Sequence, residues 1–141
     1  MTPIPDRPWT RHLMLAVAVF LLLSSGMHGF WGWGMLRQVL VETGASSDLL
    51  ETVALGWCLG SATMAGFALI VLVAWSRSRR RDGSGLMGAA IVAAVDFLFG
   101  LGAFVYSGFH PFFLVLFVIP AALLGWAVVA ARPASQPVPG T

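Results

Sequence analysis

The chain has 141 residues, of which 58% are hydrophobic and only 10% are charged, and its mean hydropathy is +0.86. Soluble globular domains carry about 25% charged residues, so the composition excludes an ordinary water-soluble protein. The net charge of +2 is too small for a nucleic-acid-binding surface, and a single cysteine excludes an internal disulfide and a paired-cysteine redox or zinc motif. We therefore expect a membrane protein with no nucleic-acid partner and no metal site.

The first apolar segment begins near His12, and Arg7 and Arg11 precede it. This start is similar to that of a secretion signal, but the nonpolar and aromatic residues continue to Trp33, which gives a membrane-spanning length. We expect a retained transmembrane helix over about 12–36, with Trp31 and Trp33 in an aromatic belt at its far end. The mixed residues 37–43 either extend this helix or lie along the membrane surface.

The second helix is predicted over about 48–75. Asp48 can cap its start, and Glu51, three residues further on, completes a capping-box pattern. Four arginines between residues 77 and 81 follow, which predicts a positively charged connecting loop.

Two more helices are predicted in the last apolar stretch, residues 83–131. As a single helix this stretch would extend about 73 Å, more than twice the hydrocarbon thickness of a bilayer, so it must fold back. Turn-forming residues before Pro111 place the break there, giving helices over about 86–106 and 111–131. Residues 133–141, which include three prolines, are expected to be a disordered cytoplasmic tail.

The arginines are concentrated on one side of the predicted topology. Two precede helix one, four lie between helices two and three, and Arg132 follows helix four, whereas Arg37 stands alone on the other side. By the positive-inside rule, both termini face the cytoplasm. The sequence thus predicts an all-α integral protein of the inner (plasma) membrane, with residues 1–132 forming one bundle of four transmembrane helices.

Asp96 is the only charged residue in the last apolar stretch, roughly 15 Å from the inner end of helix three. An ionised carboxylate near the bilayer centre costs about 2.5 to 3.5 kcal/mol, and no basic residue is expected at the same depth. Asp96 shares its helix face with small residues at spacings of three and four: Gly85, Ala89, Ala93, Gly100 and Ala103. We therefore expect Asp96 to face protein, either as a neutral acid that donates a hydrogen bond or in a water-filled pocket.

A layer of polar residues is expected close to the depth of Asp96, in the middle to the outer half of the bilayer: Ser24, Ser25, His28, Ser61 and Thr63, together with Pro120. The candidate catalytic residues are Asp96 and His28, and the candidate ligand-binding residues are Ser24, Ser61, Thr63, Trp31 and Trp57. Pro120 removes one helical hydrogen bond and leaves the carbonyl of Leu116 as an acceptor. The alternative interpretation is structural, because buried polar side chains also join helices by hydrogen bonding.

Two functions follow from these patterns. The first is a small membrane protein that holds a lipophilic molecule, of lipid, isoprenoid or quinone type, in a pocket around Asp96. Acid-base or proton-coupled chemistry is compatible with these groups, so catalysis stays open and no cofactor is identified. The second is an accessory subunit that packs against a larger membrane complex, or against a second copy, through glycine-rich faces such as Gly56 and Gly60.

Overall fold

The computed structural model describes residues 7–131, and all its regular structure is helical. The four long helices are α1 (Pro8–Glu42), α2 (Ser47–Arg79), α3 (Leu86–Tyr106) and α4 (Pro111–Ala131). Each is long and apolar enough to cross a membrane, which confirms the predicted all-helical class with four apolar helices. The predicted tail over 133–141 lies outside the described residues.

Large apolar side chains are exposed on all four helices. Phe30, Leu55 and Leu98 are 88%, 74% and 68% exposed. Soluble monomers rarely expose apolar surface on this scale, whereas hydrocarbon tails solvate it. The surface therefore fits a multi-pass membrane protein.

The turn between α1 and α2 differs in detail from the sequence-based expectation. Residues 37–42 extend α1, and the side-chain amide of Gln38 donates to the Glu42 carboxylate one turn later, at 2.9 Å. The Ser46 hydroxyl accepts the Leu49 N–H at 3.3 Å, so Ser46 and not Asp48 caps α2. The expected cap was wrong because Asp48 already lies within the first turn of the helix.

The described residues divide into two compact units. The first unit contains residues 7–17 and 70–131, and the second contains residues 18–69. The helices α1 and α2 contribute to both units, whereas α3 and α4 belong entirely to the first.

Glycines allow close helix contacts in the first unit. A Cβ atom added at Gly85 would lie 2.7 Å from the Cα of Ala74 in α2, and one added at Gly100 would lie 2.5 Å from the Cβ of Phe117 in α4. Neither position accepts a side chain without a shift of a neighbouring helix. Helices in lipid associate through this kind of close approach, so these glycines fix where α3 meets its neighbours.

The loop between α2 and α3 is a compact turn. The Asp82 carboxylate accepts the N–H and the hydroxyl of Ser84, at 2.9 and 2.8 Å, and Arg77 donates to the same hydroxyl at 2.7 Å. The two hydrogen bonds from Ser84 hold the pKa of Asp82 below its ordinary value, because they favour the charged carboxylate.

Both α1 and α4 contain a π-helical turn, over Met27–Gly32 and Leu114–Val118. The turn in α4 ends two residues before Pro120, which has no N–H and whose ring would clash with the carbonyl four residues earlier in a regular helix. The wider turn accommodates the proline. The turn in α1 contains no proline, and its surroundings form part of the candidate site.

Candidate functional site

Asp96 is buried on α3, where it is 9% exposed. Its helix face also buries Ala89, Ala93 and Gly100. Among residues 7–131, no group donates a hydrogen bond to the Asp96 carboxylate. Its oxygens are not fully enclosed, because no fully buried side-chain oxygen or nitrogen among these residues lacks a hydrogen-bond partner. The first unit therefore holds a buried carboxyl group whose hydrogen-bonding capacity is unused by the described part of the chain.

An apolar groove of about 430 Å³ lies between α3 and α4 at the level of Asp96. Five alanines and Gly125 form much of its lining, with Phe97, Leu98 and Val129 at its sides. A Cβ added at Gly125 would lie 3.8 Å from the Cβ of Ala93, at van der Waals distance, so α3 and α4 approach closely beside the groove. Asp96 does not line the groove, but Ala93, one helical turn away, does.

His28 and Trp57, both half-buried, pack against each other in the second unit. Their rings stack with centroids 4.1 Å apart and an interplanar angle of 11°. The Trp57 indole N–H donates to the backbone carbonyl of His28 at 2.6 Å. The N–H of Trp33, at the end of the π-helical turn, donates to the same carbonyl. The turn thus presents one carbonyl oxygen to a donor in α1 and a donor in α2.

Two glycines of the π-helical turn make room for this contact. A Cβ added at Gly32 would lie 3.0 Å from Cζ2 of Trp57, and one added at Gly29 would lie 3.1 Å from Oγ of Ser61. The glycine and tryptophan alternation in the sequence predicts only an aromatic belt. The spacing of small residues predicts a helix contact at Gly29, but no pattern indicates that Gly32 receives Trp57 of α2.

One serine hydroxyl of the second unit joins α1 to α2, and another forms a hydrogen bond within α2. Ser25 donates its hydroxyl to the carbonyl of Ser61 at 2.8 Å, and Ser61 donates its own hydroxyl to the carbonyl of Trp57 at 3.1 Å. Ser24 is half-buried and makes no side-chain hydrogen bond to any residue that the structure describes. Sequence reasoning chose Ser24 for the site, but Ser25 joins the helices.

The remaining sequence-predicted residues are peripheral in their unit. Trp31 is 66% exposed, and Thr63 is exposed with its hydroxyl donated to the carbonyl of Leu59, one turn earlier in the same helix. The structure thus brings together His28, Trp57 and Ser61 in the second unit and leaves Trp31 and Thr63 outside that cluster. Asp96 belongs to the first unit, so its convergence with these residues stays a prediction.

The adjacent serines provide a matched pair of substitutions. Ser25→Ala removes the hydroxyl that joins α1 to α2, and we expect it to lower the free energy of unfolding by about 0.6 kcal/mol, the average for an interhelical hydrogen bond in a membrane. Ser24→Ala removes no such bond and should leave stability unchanged. Unfolding in mixed micelles measures both variants, and equal effects would show that the Ser25 bond contributes nothing.

No protein-family model matches the chain, and neither does any curated protein or any solved structure. Function must therefore be argued from geometry. Within 7–131, no three His, Cys, Asp or Glu side chains gather into a group that could hold a metal ion. The first unit contains a buried carboxyl group and an apolar groove, and the second unit contains an imidazole stacked on an indole.

Proposed function

We propose that the protein holds a lipophilic small molecule, of lipid, isoprenoid or quinone type, with Asp96 as the polar anchor. The observation that supports this function most strongly is the buried carboxyl group without a hydrogen bond from the described chain. Its oxygens are not fully enclosed by the described residues, so a bound molecule could reach them. A hydroxyl or carbonyl group of a bound molecule would supply the hydrogen bond that the described chain does not, and polar groups inside a membrane commonly mark such sites.

The groove between α3 and α4 suits the apolar part of the same molecule. Its volume of about 430 Å³ falls within the range of small-molecule sites, and its lining carries no charged residue. Ala93 belongs to the groove, and Asp96 follows one turn later on the same helix. A molecule with an apolar tail in the groove would thus have its polar end within a helical turn of the carboxyl group.

We further propose roles in ligand binding for the other sequence-predicted residues, all of which belong to the second unit. In this proposal His28 is a second proton-transfer group, Ser24, Ser61 and Thr63 orient the molecule, and Trp31 and Trp57 form apolar walls. The predicted depth of the polar residues among them supports this assignment. If the site performs chemistry, acid-base isomerisation or proton-coupled transfer is the class that these groups permit. The arginine distribution supports insertion in the inner membrane with both termini in the cytoplasm.

Asp96→Asn tests the anchor. Asparagine keeps the size of the side chain but has neither the negative charge nor the acidic O–H group of a carboxyl group, so its hydrogen bond to a ligand is weaker. We expect the variant to lose at least tenfold of any lipophilic molecule that copurifies with the protein. Mass spectrometry of organic extracts from protein purified out of native membranes measures this loss. Asp48→Asn is the matched control, because Asp48 is an exposed carboxylate at the start of α2. Equal occupancy of the two variants would contradict the proposal.

A specific observation also favours the accessory-subunit function. Gly56 is exposed, and a Cβ added there would meet no atom within 4 Å, whereas one at Gly60 would lie 3.5 Å from Nε2 of His28. The two glycines singled out by the sequence therefore differ. Gly60 packs against its own chain, and Gly56 leaves a smooth face on which another helix could pack.

Gly56→Ile tests this second function without disturbing the chain itself. If the glycine face docks another membrane protein or a second copy, the variant should lose the complex while it keeps its folded stability. The control is Gly102→Ile, because Gly102 is also exposed within an apolar helix and has open space around it. Size-exclusion chromatography with mass measurement in mild detergent distinguishes the outcomes. An unchanged mass for the Gly56 variant would argue against docking through this face.

A further inference from the structure

We infer that a pocket at the arginine-rich end of the first unit binds the phosphate headgroup of an anionic phospholipid. The pocket has a volume of about 620 Å³. Its lining residues are Pro8, Arg11, His12 and Leu15 from α1, and Trp75 and Arg79 from α2. The pocket therefore brings two arginines and a histidine together with an indole ring and an aliphatic side chain.

The charged part of the lining matches a phosphate group. The guanidinium group of Arg79 has several N–H donors in a planar arrangement that suits phosphate oxygens, and on the α1 side Arg11 adds positive charge and His12 adds an imidazole. Among the described residues, no Asp or Glu lines the pocket. An anion would thus meet donors from both helices.

Trp75 positions one of these donors. The guanidinium carbon of Arg79 lies 5.2 Å from the centroid of the Trp75 ring, within cation–π range. The two residues are one turn apart on α2, so the interaction holds the guanidinium group against the wall of the pocket. A preorganised donor loses less conformational freedom when it binds an anion.

The location and the apolar lining favour a lipid over a soluble phosphate compound. The apolar span of α2 ends at this point, where Arg77 and Arg79 occupy its last turn. Tryptophan is typical of this boundary, and basic pockets between helices at this level recognise anionic headgroups. Leu15 and Trp75 would contact the glycerol and upper acyl region while Arg79 binds the phosphate. The inference is independent of Asp96 and of the proposed function.

The test is native mass spectrometry of the purified full chain titrated with phosphatidylglycerol or phosphatidylcholine. We expect phosphatidylglycerol to bind more tightly. Arg79→Gln should weaken its affinity about fivefold, as expected for one basic contact with an anionic lipid. The matched control is Arg80→Gln, which changes the net charge equally but alters a residue that does not line the pocket, and it should lose less than about twofold.

Three results would overturn the inference. Equal losses in the two variants would mean that phosphatidylglycerol is attracted only by the general positive charge of this end. Equal affinity for phosphatidylcholine would mean that the pocket does not select an anionic lipid. Displacement of phosphatidylglycerol by millimolar inorganic phosphate or glycerol phosphate would assign the pocket to a soluble phosphate compound.

Discussion

Gly100→Ala is expected to lower the free energy of unfolding by about 1 to 3 kcal/mol, the range for overpacking a tight contact. The new methyl group would lie 2.5 Å from the Cβ of Phe117, and 3.0 and 3.1 Å from Cγ2 and the backbone nitrogen of Val118. Because one of these atoms is backbone and another is a Cβ, a rotamer change cannot remove the clash. The helices α3 and α4 would have to separate, which also changes the shape of the apolar groove.

Gly102→Ala is the control for this prediction. It lies in the same helix, and a Cβ added there meets no atom within 4 Å. Alanine forms helices better than glycine by about 0.8 to 1.0 kcal/mol, so this variant should be neutral or slightly stabilised. Thermal unfolding in detergent measures both proteins. Similar unfolding temperatures for the two variants would show that the contact at Gly100 is not tight.

Trp57→Ala should lower the free energy of unfolding of the second unit by about 3 kcal/mol, the low end for removal of a packed tryptophan, because Trp57 is half-buried. The substitution removes the ring stacked on His28 and the indole N–H bonded to the His28 carbonyl. Trp57→Phe separates these contributions. It keeps an aromatic ring against the imidazole and should lose only about 1 kcal/mol, the net value of one hydrogen bond.

Trp31→Phe is the matched control, since Trp31 lies in the π-helical turn but is 66% exposed. We expect its unfolding free energy to stay within about 0.5 kcal/mol of the wild-type value. Chemical unfolding in micelles, followed by far-ultraviolet circular dichroism, measures all three variants. If Trp57→Phe and Trp31→Phe gave the same stability, the hydrogen bond from the Trp57 indole to the His28 carbonyl would not stabilise the contact between α1 and α2.

The number and class of the helices could be predicted from sequence because apolar runs of spanning length admit few other structures. The cap of α2 could not be predicted, since Ser46, Ser47 and Asp48 are all good capping residues and the path of the turn selects among them. The π-helical turn in α1 was also missed. It includes Gly32, which packs closely against Trp57 of α2, a contact between distant parts of the chain that no local pattern encodes.

Sequence reasoning reached part of the candidate site for a similar reason. The spacing of small residues around Asp96 predicts a face turned toward protein, and Asp96 is buried on that face. The spacing of Ser25 and Gly29 predicts a contact face on α1, and both residues meet Ser61 of α2. Ser24 was placed in the site by its depth alone, and depth does not determine which face of a helix a residue occupies. The sequence likewise could not predict that no described residue donates a hydrogen bond to Asp96, because the packing of the helices determines which groups surround it.

The most direct measurement is an experimental density map of the protein, extracted from its own membrane and resolved well enough to show side chains around Asp96. We expect non-protein density within hydrogen-bond distance of the Asp96 carboxyl group, continuous with density along the groove between α3 and α4. A carboxyl group bonded directly to a neighbouring helix, with no space for water or a bound molecule, would contradict the proposed function and leave Asp96 with a purely structural role.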